Sequence, residues 1–341
     1  MTDPGSSTPI LGIDIGGTKL AVGVATADGM LRSERRRPSR AEEGPDAVID
    51  RVLEMAHEAA SDAGCEIDDL AAVGIGCGGP LDPWRGMVLN ALNNPGWVDI
   101  PLRDRIGGAL GRPTFLDNDA NAASLGEHRF GAGRGVDDMV YLTVSTGVGG
   151  GVIAGGRPVR GANGNAAELG HLTVDAHGRP CHCGSVGCLE AYASGTNIAR
   201  RARETLASDD RPSRLRDVDP DRLTSADVSA AADGGDEVAA AIWDESVTLL
   251  AAGVASIIHA FNPSLVVVGG GVTNAGDLLF EPLRRAVAER TMPWLHDAVT
   301  LVPAALGDRA GILGAVAVAL DGPRLLREGP PRHAADGRND G

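Results

Sequence analysis

ILGIDIGGTKLAVGV, residues Ile10–Val24, decides how the rest of the chain is read. Ile10 to Ile15 is a short apolar run ending at Gly16 and Gly17, a buried strand that enters a turn. Leu20 to Thr26 alternates in β-rich residues, and Ala27, Asp28 and Gly29 turn the chain again into Met30–Arg36. The order strand, glycine bend, strand is informative. A Rossmann or P-loop fingerprint puts a helix after its glycines, whereas this bend joins two antiparallel strands, so an anion bound here is held by the hairpin itself. The N–H groups of Gly16, Gly17 and Thr18, with the Thr18 hydroxyl and Lys19 nearby, suit phosphate oxygens. A plain tight hairpin would carry the same residues.

The pattern returns further along. Met139–Val144 is an apolar strand, Ser145–Gly150 a glycine turn and Gly151–Ala154 a returning strand. Two bends of one design, each opening a half of the chain, predict a duplicated αβ domain with a central cleft between the copies. A nucleotide gripped from both sides would have its β- and γ-phosphates between Gly16–Lys19 and the second bend, with Thr146, Gly147, Gly149 and Gly150. Leu265–Val268 is a third buried strand, running into Gly269, Gly270 and Gly271. Backbone there suits a flat adenine ring, and equally a tight strand-to-helix connection.

Between the bends, Pro45–Gly64 carries Val48, Val52, Leu53, Ala56, Ala59, Ala60 and Ala63 on one helical stripe. Ala71–Gly76 is a strand leading into Cys77, Gly78, Gly79 and Pro80, where missing side chains admit a ligand close to the backbone. Asn93 and Asn94 open a polar loop ending in Trp97, which lies either against an apolar sugar face or in the core of the first domain. Pro113–Asp117 is a strand running into Asn118 and Asp119, and Ala120–Phe130 is a helix. Asp119 is therefore either that helix's N-cap or a general base at a strand end. Later helices are expected at Ala193–Ala207, Val238–Phe261, Leu278–Arg290 and Arg309–Leu320, with Ser208–Asp236 as a poorly patterned surface excursion.

Glu168–Glu190, ELGHLTVDAHGRPCHCGSVGCLE, holds the densest chemistry. His171, Cys181, Cys183 and Cys188 are three sulfurs and one imidazole, the soft ligand set of a closed tetrahedral zinc site. Four protein ligands leave no open position, so the zinc is expected to be structural. A loop braced by metal positions carboxylates, and Glu168 and Glu190 bracket it. His171 is expected to serve twice, one ring nitrogen on zinc and the other donating to a ligand. Two carboxylate acceptors and one donor suit a polyhydroxyl molecule. Loss of the metal is expected to weaken binding of that polyhydroxyl ligand and leave nucleotide affinity almost unchanged.

The 341 residues are 43% hydrophobic and carry a net charge of −15. Length predicts roughly two domains. The acidic balance argues against nucleic acid and anionic membrane surfaces, which need clustered Lys and Arg. Three of the five cysteines fall in the metal cluster, and Cys65 and Cys77 lie in unrelated segments, so no disulfide framework is indicated. The cytoplasm is the expected compartment, with neither signal peptide nor membrane span.

DIGGTK at 14–19, LDNDAN at 116–121, TGVGGG at 146–151, ELGH at 168–171 and CHCGSVGCLE at 181–190 together resemble the ROK family of sugar kinases and sugar-responsive repressors. The resemblance runs from about residue 10 to 320. It implies an α/β chain of the actin-like, RNase H-like ATPase fold. Its small αβ domain would be 10–118 plus 307–321, and its large one 119–306 with the zinc loop at 168–190. A leader at 1–9 and a tail at 322–341 are expected to be disordered. Function follows the same resemblance: ATP-dependent phosphorylation of a hexose, first glucose at its 6-hydroxyl, as in carbohydrate metabolism and glycolysis. N-acetylglucosamine or N-acetylmannosamine is the alternative acceptor, decided near Gly78 and Asn93. By the match, Asp119 is the base, and Asn118, Glu168, His171 and Glu190 hold the sugar. Asp14 orients Mg²⁺ through water, and His171, Cys181, Cys183 and Cys188 bind zinc. ROK repressors carry a winged helix before the first bend, for which nine residues leave no room, so an enzyme is expected over a non-catalytic sensor. The zinc loop favours ATP over polyphosphate as donor, and the family implies a homodimer or homotetramer.

Overall fold

Pro9–Ile15 (β1) and Lys19–Thr26 (β2) pair antiparallel through the predicted glycine bend, Asp14 opposite Ala21 and Ile15 opposite Leu20. Leu31–Pro38 (β3) extends the sheet on β2, and Val73–Cys77 (β4) adds parallel to β1. A small antiparallel sheet follows, of Leu81–Asp82 (β5), Met87–Asn90 (β6) and Val98–Ile100 (β7). Thr114–Asn118 (β8) completes the first large sheet, in the order β3-β2-β1-β4-β8. The second sheet repeats this plan with Met139–Val144 (β9), Val148–Ala154 (β10), Arg157–Pro158 (β11), Leu265–Gly269 (β12) and Thr300–Pro303 (β13). Its order is β11-β10-β9-β12-β13, again with one antiparallel hairpin and two parallel additions. The computed structural model describes residues 8–91 and 96–330.

The chain divides into two compact units. The first comprises residues through Gly135, Pro158–Ala167 and Asp308 onward; the second comprises Val136–Arg157 and Glu168–Gly307. In the first, Gly44–Asp62 (α1) and Leu102–Leu110 (α2) pack Val48, Val52, Met55, Leu102 and Ile106 against Ile13, Leu20 and Ile75 of the strands. Burying each such side chain contributes roughly 1.5–3 kcal/mol. Asp119–Phe130 (α3) and Ala310–Glu328 (α10) lie together in this unit. The α10 backbone comes so close to β4 that a Cβ on Gly74 would stand 1.7 Å from the Ala315 carbonyl, so only glycine fits. The division expected after residue 118 therefore falls after Gly135: α3 packs on α10, with Gly314 pressed against the Ala122 carbonyl.

In the second unit, Glu190–Ala193 (α4), Gly195–Ser208 (α5) and Ser225–Asp233 (α6) precede Glu237–Phe261 (α7). Asp236 caps α7 by accepting from the Val238 and Ala239 N–H groups, and Asn262 ends it in the left-handed region. Asp277–Arg290 (α8) and Pro293–His296 (α9) follow.

Three further expectations change and one open reading closes. Residues 208–236 are built, not an excursion: a capping box of Thr224 and Asp227 starts α6, and Leu215, Leu223 and Val228 are buried. Such short elements, with one or two apolar anchors each, leave little periodicity to read. Helix α10 runs through Pro323 to Glu328 instead of ending at Leu320, because Leu325 is buried and Gly322 packs on Phe115. Trp97 belongs to the first unit's core, 1% exposed, which removes it as a sugar platform. Finally, α7 alone among the described residues is long and apolar enough to cross a bilayer, contrary to the expectation that no run approaches that length. Most of that stretch is buried within the protein, which accounts for its composition.

Candidate functional site

Strand register gathers the first unit's polar groups. Asp14 of β1 pairs with Gly76 of β4, which pairs with Asp117 of β8; Ile15, Cys77 and Asn118 form the next row. The loops beyond those rows, Gly16–Lys19, Gly78–Pro80 and the start of α3, consequently leave one edge of the sheet. Ligands of open α/β sheets bind at the carboxyl ends of strands, where these loops lie.

Asn118, not Asp119, caps α3. Its Oδ1 accepts from the Ala120 N–H at 2.9 Å and from the Asn121 N–H at 3.3 Å, which leaves its Nδ2 as a donor. Asp119 accepts from Ala120 at 2.8 Å and otherwise keeps a surface open to water, although protein crowds around it. That crowding raises its carboxyl above the ordinary range, with the Ala120 N–H opposing. Asp14 is pushed up to about 7, first by burial and then by the negative charge of Asp119, while Lys19 and Arg36 pull it down. A Cβ on Gly311, at the start of α10, would lie 2.2 Å from the Asp14 carboxylate. The helix therefore approaches that acid as closely as backbone can. A carboxylate with few neighbouring acceptors is the donor set a water-bridged Mg²⁺ uses.

At the bend itself, the Gly16 N–H donates to Lys19 O at 3.0 Å, closing the hairpin. Gly17 and Thr18 stand at the tip, the Gly17 carbonyl accepting from Ser39 Oγ at 2.6 Å. Gly78 faces open space, and a Cβ on Gly79 would touch the Asn118 amide. Asn165 holds the loop after β4, donating to Leu81 O and accepting from the Leu81 N–H, both at 3.0 Å. Asn93 lies outside the described residues.

In the second unit the bend is tighter. The Ser145 N–H donates to Gly147 O, and the Val148 N–H donates at 2.8 Å to Glu190 Oε2. Thr146 and Gly147 are left at the tip. Gly149 and Gly150 lie within β10, opposite Thr143 and Leu142, and Gly150 leaves room for Leu169, so strand packing explains it. Gly270 and Gly271 sit at the end of β12, on the edge where β9 enters the bend. A Cβ on Gly270 would meet the Val144 carbonyl at 2.4 Å.

The ligating atoms of His171, Cys181, Cys183 and Cys188 all lie within 4.8 Å of one another. Zinc–sulfur bonds of about 2.3 Å at tetrahedral angles set sulfurs about 3.8 Å apart. Cys183 and Cys188 Sγ are 3.7 Å apart, and Cys181 Sγ is 3.7 Å from His171 Nδ1. The quartet thus fits zinc. Burial, then the neighbouring thiols, pushes the Cys188 thiol up to about 12, so a cation is what would hold that sulfur as a thiolate. His171 Nδ1 faces the sulfurs, while its Nε2 lies 4.0 Å from Glu168 Oε2. Glu190 is buried, its Oε1 3.0 Å from His182 Nδ1. Sequence reasoning passed over His182, Asn165 and Gly311; the partners that mark them, Glu190, Leu81 and Asp14, lie further off in the chain.

The sequence pattern of the ROK family matches residues 10–322. A glucokinase of Thermotoga maritima is 40% identical over 310 residues, 91% of this chain and 96% of that protein. A ROK family glucokinase from Streptomyces griseus, solved in complex with glucose and AMPPNP, is similar with a TM-score of 0.80 and 36% identity. The match covers 92% of this chain and 99% of that one. A ROK hexokinase from Thermus thermophilus gives 0.79 and 39%, over 93% and 99%.

Proposed function

Since the chain belongs to the ROK family and has its actin-like, two-domain ATPase fold, we propose that it transfers the γ-phosphoryl group of ATP to the 6-hydroxyl of glucose, giving glucose 6-phosphate. The observation that carries this is the likeness to the Streptomyces griseus enzyme bound to glucose and AMPPNP, over nearly all of both chains. Asp119 accepts the hydroxyl proton as the new O–P bond forms. Burial raises its carboxyl above the ordinary range, which makes the carboxylate a stronger proton acceptor. Asn118, Glu168, His171 and Glu190 orient the sugar hydroxyls, with the backbone at Gly78 close by. Gly17, Thr18, Lys19, Thr146 and Gly147 hold the phosphates, and Gly270 and Gly271 the adenine. Phosphoryl transfer asks for positioning and charge stabilisation more than covalent work. Mg²⁺ would be held through Asp14 and supplies neutralisation of phosphate charge. Zinc, held by His171, Cys181, Cys183 and Cys188, supplies bracing of the loop that carries Glu168 and Glu190.

The enzyme is proposed to work in the cytoplasm as a homodimer or homotetramer. Sugar-dependent ADP release across glucose, mannose, xylose, N-acetylglucosamine and N-acetylmannosamine tests the main assignment. Glucose should give the highest kcat/KM, and no ADP release with any sugar would overturn the kinase. Elemental analysis of purified protein should find one zinc per chain.

A further inference from the structure

Asp117 stands two residues before the proposed base and is fully buried. One of its oxygens serves the turn that carries Asp119: Oδ1 accepts from the Asn118 N–H at 2.9 Å and from Asn121 Nδ2 at 3.2 Å. The other is taken by Arg160, whose Nε lies 2.9 Å and Nη2 2.7 Å from Asp117 Oδ2. Arg160 is 8% exposed, and its Nη2 also reaches Asp321 of α10 at 2.9 Å. Arg324 donates to the remaining oxygen of Asp321. Both oxygens of Asp117 and both of Asp321 are partnered, and the network ends on the strand-to-helix turn.

A buried ion pair adds little net stability, because removing two charges from water costs about as much as their attraction returns. What such a pair supplies is geometry: two guanidinium nitrogens converge on Asp117 Oδ2 and leave Oδ1 to the turn. Arg160 is the cation that the described residues place against Asp117. Its position in the second row from the base makes that orientation matter, since misplacing a reacting group by about 1 Å costs on the order of 100-fold in rate.

We propose that Arg160 is a positioning residue for phosphoryl transfer: by clamping Asp117 it fixes the turn on which Asn118 and Asp119 stand. This rests on Asp119 being the base. Arg160 also borders a cavity of about 320 Å³ with Trp84, Gly161, Leu325 and Glu328, none of them a residue assigned to sugar or nucleotide. Small solutes can therefore reach the neighbourhood of the guanidinium.

Kinetics of Arg160→Met, Arg160→Lys and Asp119→Asn on the full chain, corrected for folded fraction by circular dichroism, form the test. Arg160→Met should lower kcat about 10- to 100-fold, with the glucose and ATP KM values within about threefold of the parent. Arg160→Lys should recover part of that loss, since it restores the charge without the fork. If Arg160→Met keeps kcat within about twofold per folded molecule, or if KM and kcat fail together, the positioning role is overturned. Should Arg160→Met not fold, Asp117→Asn with Arg160→Met removes both buried charges and keeps an acceptor for Asn118. A folded double variant with parental kcat also overturns the proposal, and a slow one with parental KM supports it. Asp119→Asn separates the two ideas: near-parental turnover there sinks the base itself, whereas an inactive Asp119→Asn beside a fully active Arg160→Met sinks only the clamp.

Discussion

The two glycine hairpins, Asp14–Lys19 and Ser145–Val148, share strand order and bend but differ in how their acids are kept. The first ends on Asp14, crowded by Asp119 and by the start of α10, and both carboxyls are pushed up. The second has no acid of its own. Its carboxylate arrives from α4 as Glu190, held by the Val148 N–H on one oxygen and set against His182 on the other. One bend therefore keeps two crowded acids whose carboxyls are raised, and the other borrows an acid held in place. A duplicated frame acquired two kinds of chemistry by changing what packs behind each bend.

The largest effect should come from the first bend's side. Asp119→Ala should reduce turnover by about 10²- to 10⁴-fold, the range for a general base. Glucose binding by calorimetry should stay within about threefold of the parent. Unchanged turnover would erase the contrast between the halves. Next, Cys183→Ser should lose zinc by elemental analysis and raise the glucose KM on the order of tenfold, the scale of second-shell support. The sequence alone suggests that ATP affinity would barely change. Because Glu190 also holds the Val148 N–H beside the bend, the ATP KM should rise too, by about threefold; an unmoved ATP KM would show that Glu190 does not link loop and bend.

A matched pair of glycine substitutions sharpens the comparison further. Gly311→Ala places a Cβ 2.2 Å from Asp14 Oδ2, and Gly147→Ala places one 2.5 Å from Glu190 Oε2. The first should raise the Mg²⁺ concentration needed for half-maximal rate several-fold, and the second should raise the ATP KM with little change in Mg²⁺ dependence. Equal responses in both would dissolve the distinction.

The smallest expected effect is on stability. With Asp14 at about 7 against an ordinary 3.8, the folded protein holds a proton that the unfolded chain releases. That contribution is intact below about pH 4 and is lost as pH rises to about 7, above which the loss is complete. Asp14→Asn removes the titration, so its melting temperature should exceed the parent's by a few degrees at about pH 8 and match it at about pH 4. The gain is on the order of 1–2 kcal/mol, below the full 1.4 kcal/mol per pKa unit because Asp14 is partly open to solvent. A gain at acid pH instead would mean that Asp14 is held ionised.

Much of the site was legible because its parts are local. The quartet His171, Cys181, Cys183 and Cys188 lies within one short stretch, and Asp119 follows its strand directly, so residue type and spacing marked these positions. Asn118's capping role was missed because Asn and Asp both serve at helix starts, and which of them points back is settled by backbone angles. Trp97 was undecided since an aromatic in a polar loop fits either a ligand or a core. Arg160 gave no local signal at all, standing far from both Asp117 and Asp321 in the chain.

Sequence by itself determined the twice-used strand–bend–strand plan, the thiol and imidazole set and the acid at the start of α3. Those depend on period, turn chemistry and ligand type, which act over a few neighbouring residues. Tertiary structure alone decided that burial and Asp119 raise Asp14, that Glu190 is tied to the second bend, and that Arg160 stands behind Asp117. Coulomb energy, desolvation and hydrogen bonding depend on distance in space, and strand register sets those distances only once the sheet has formed.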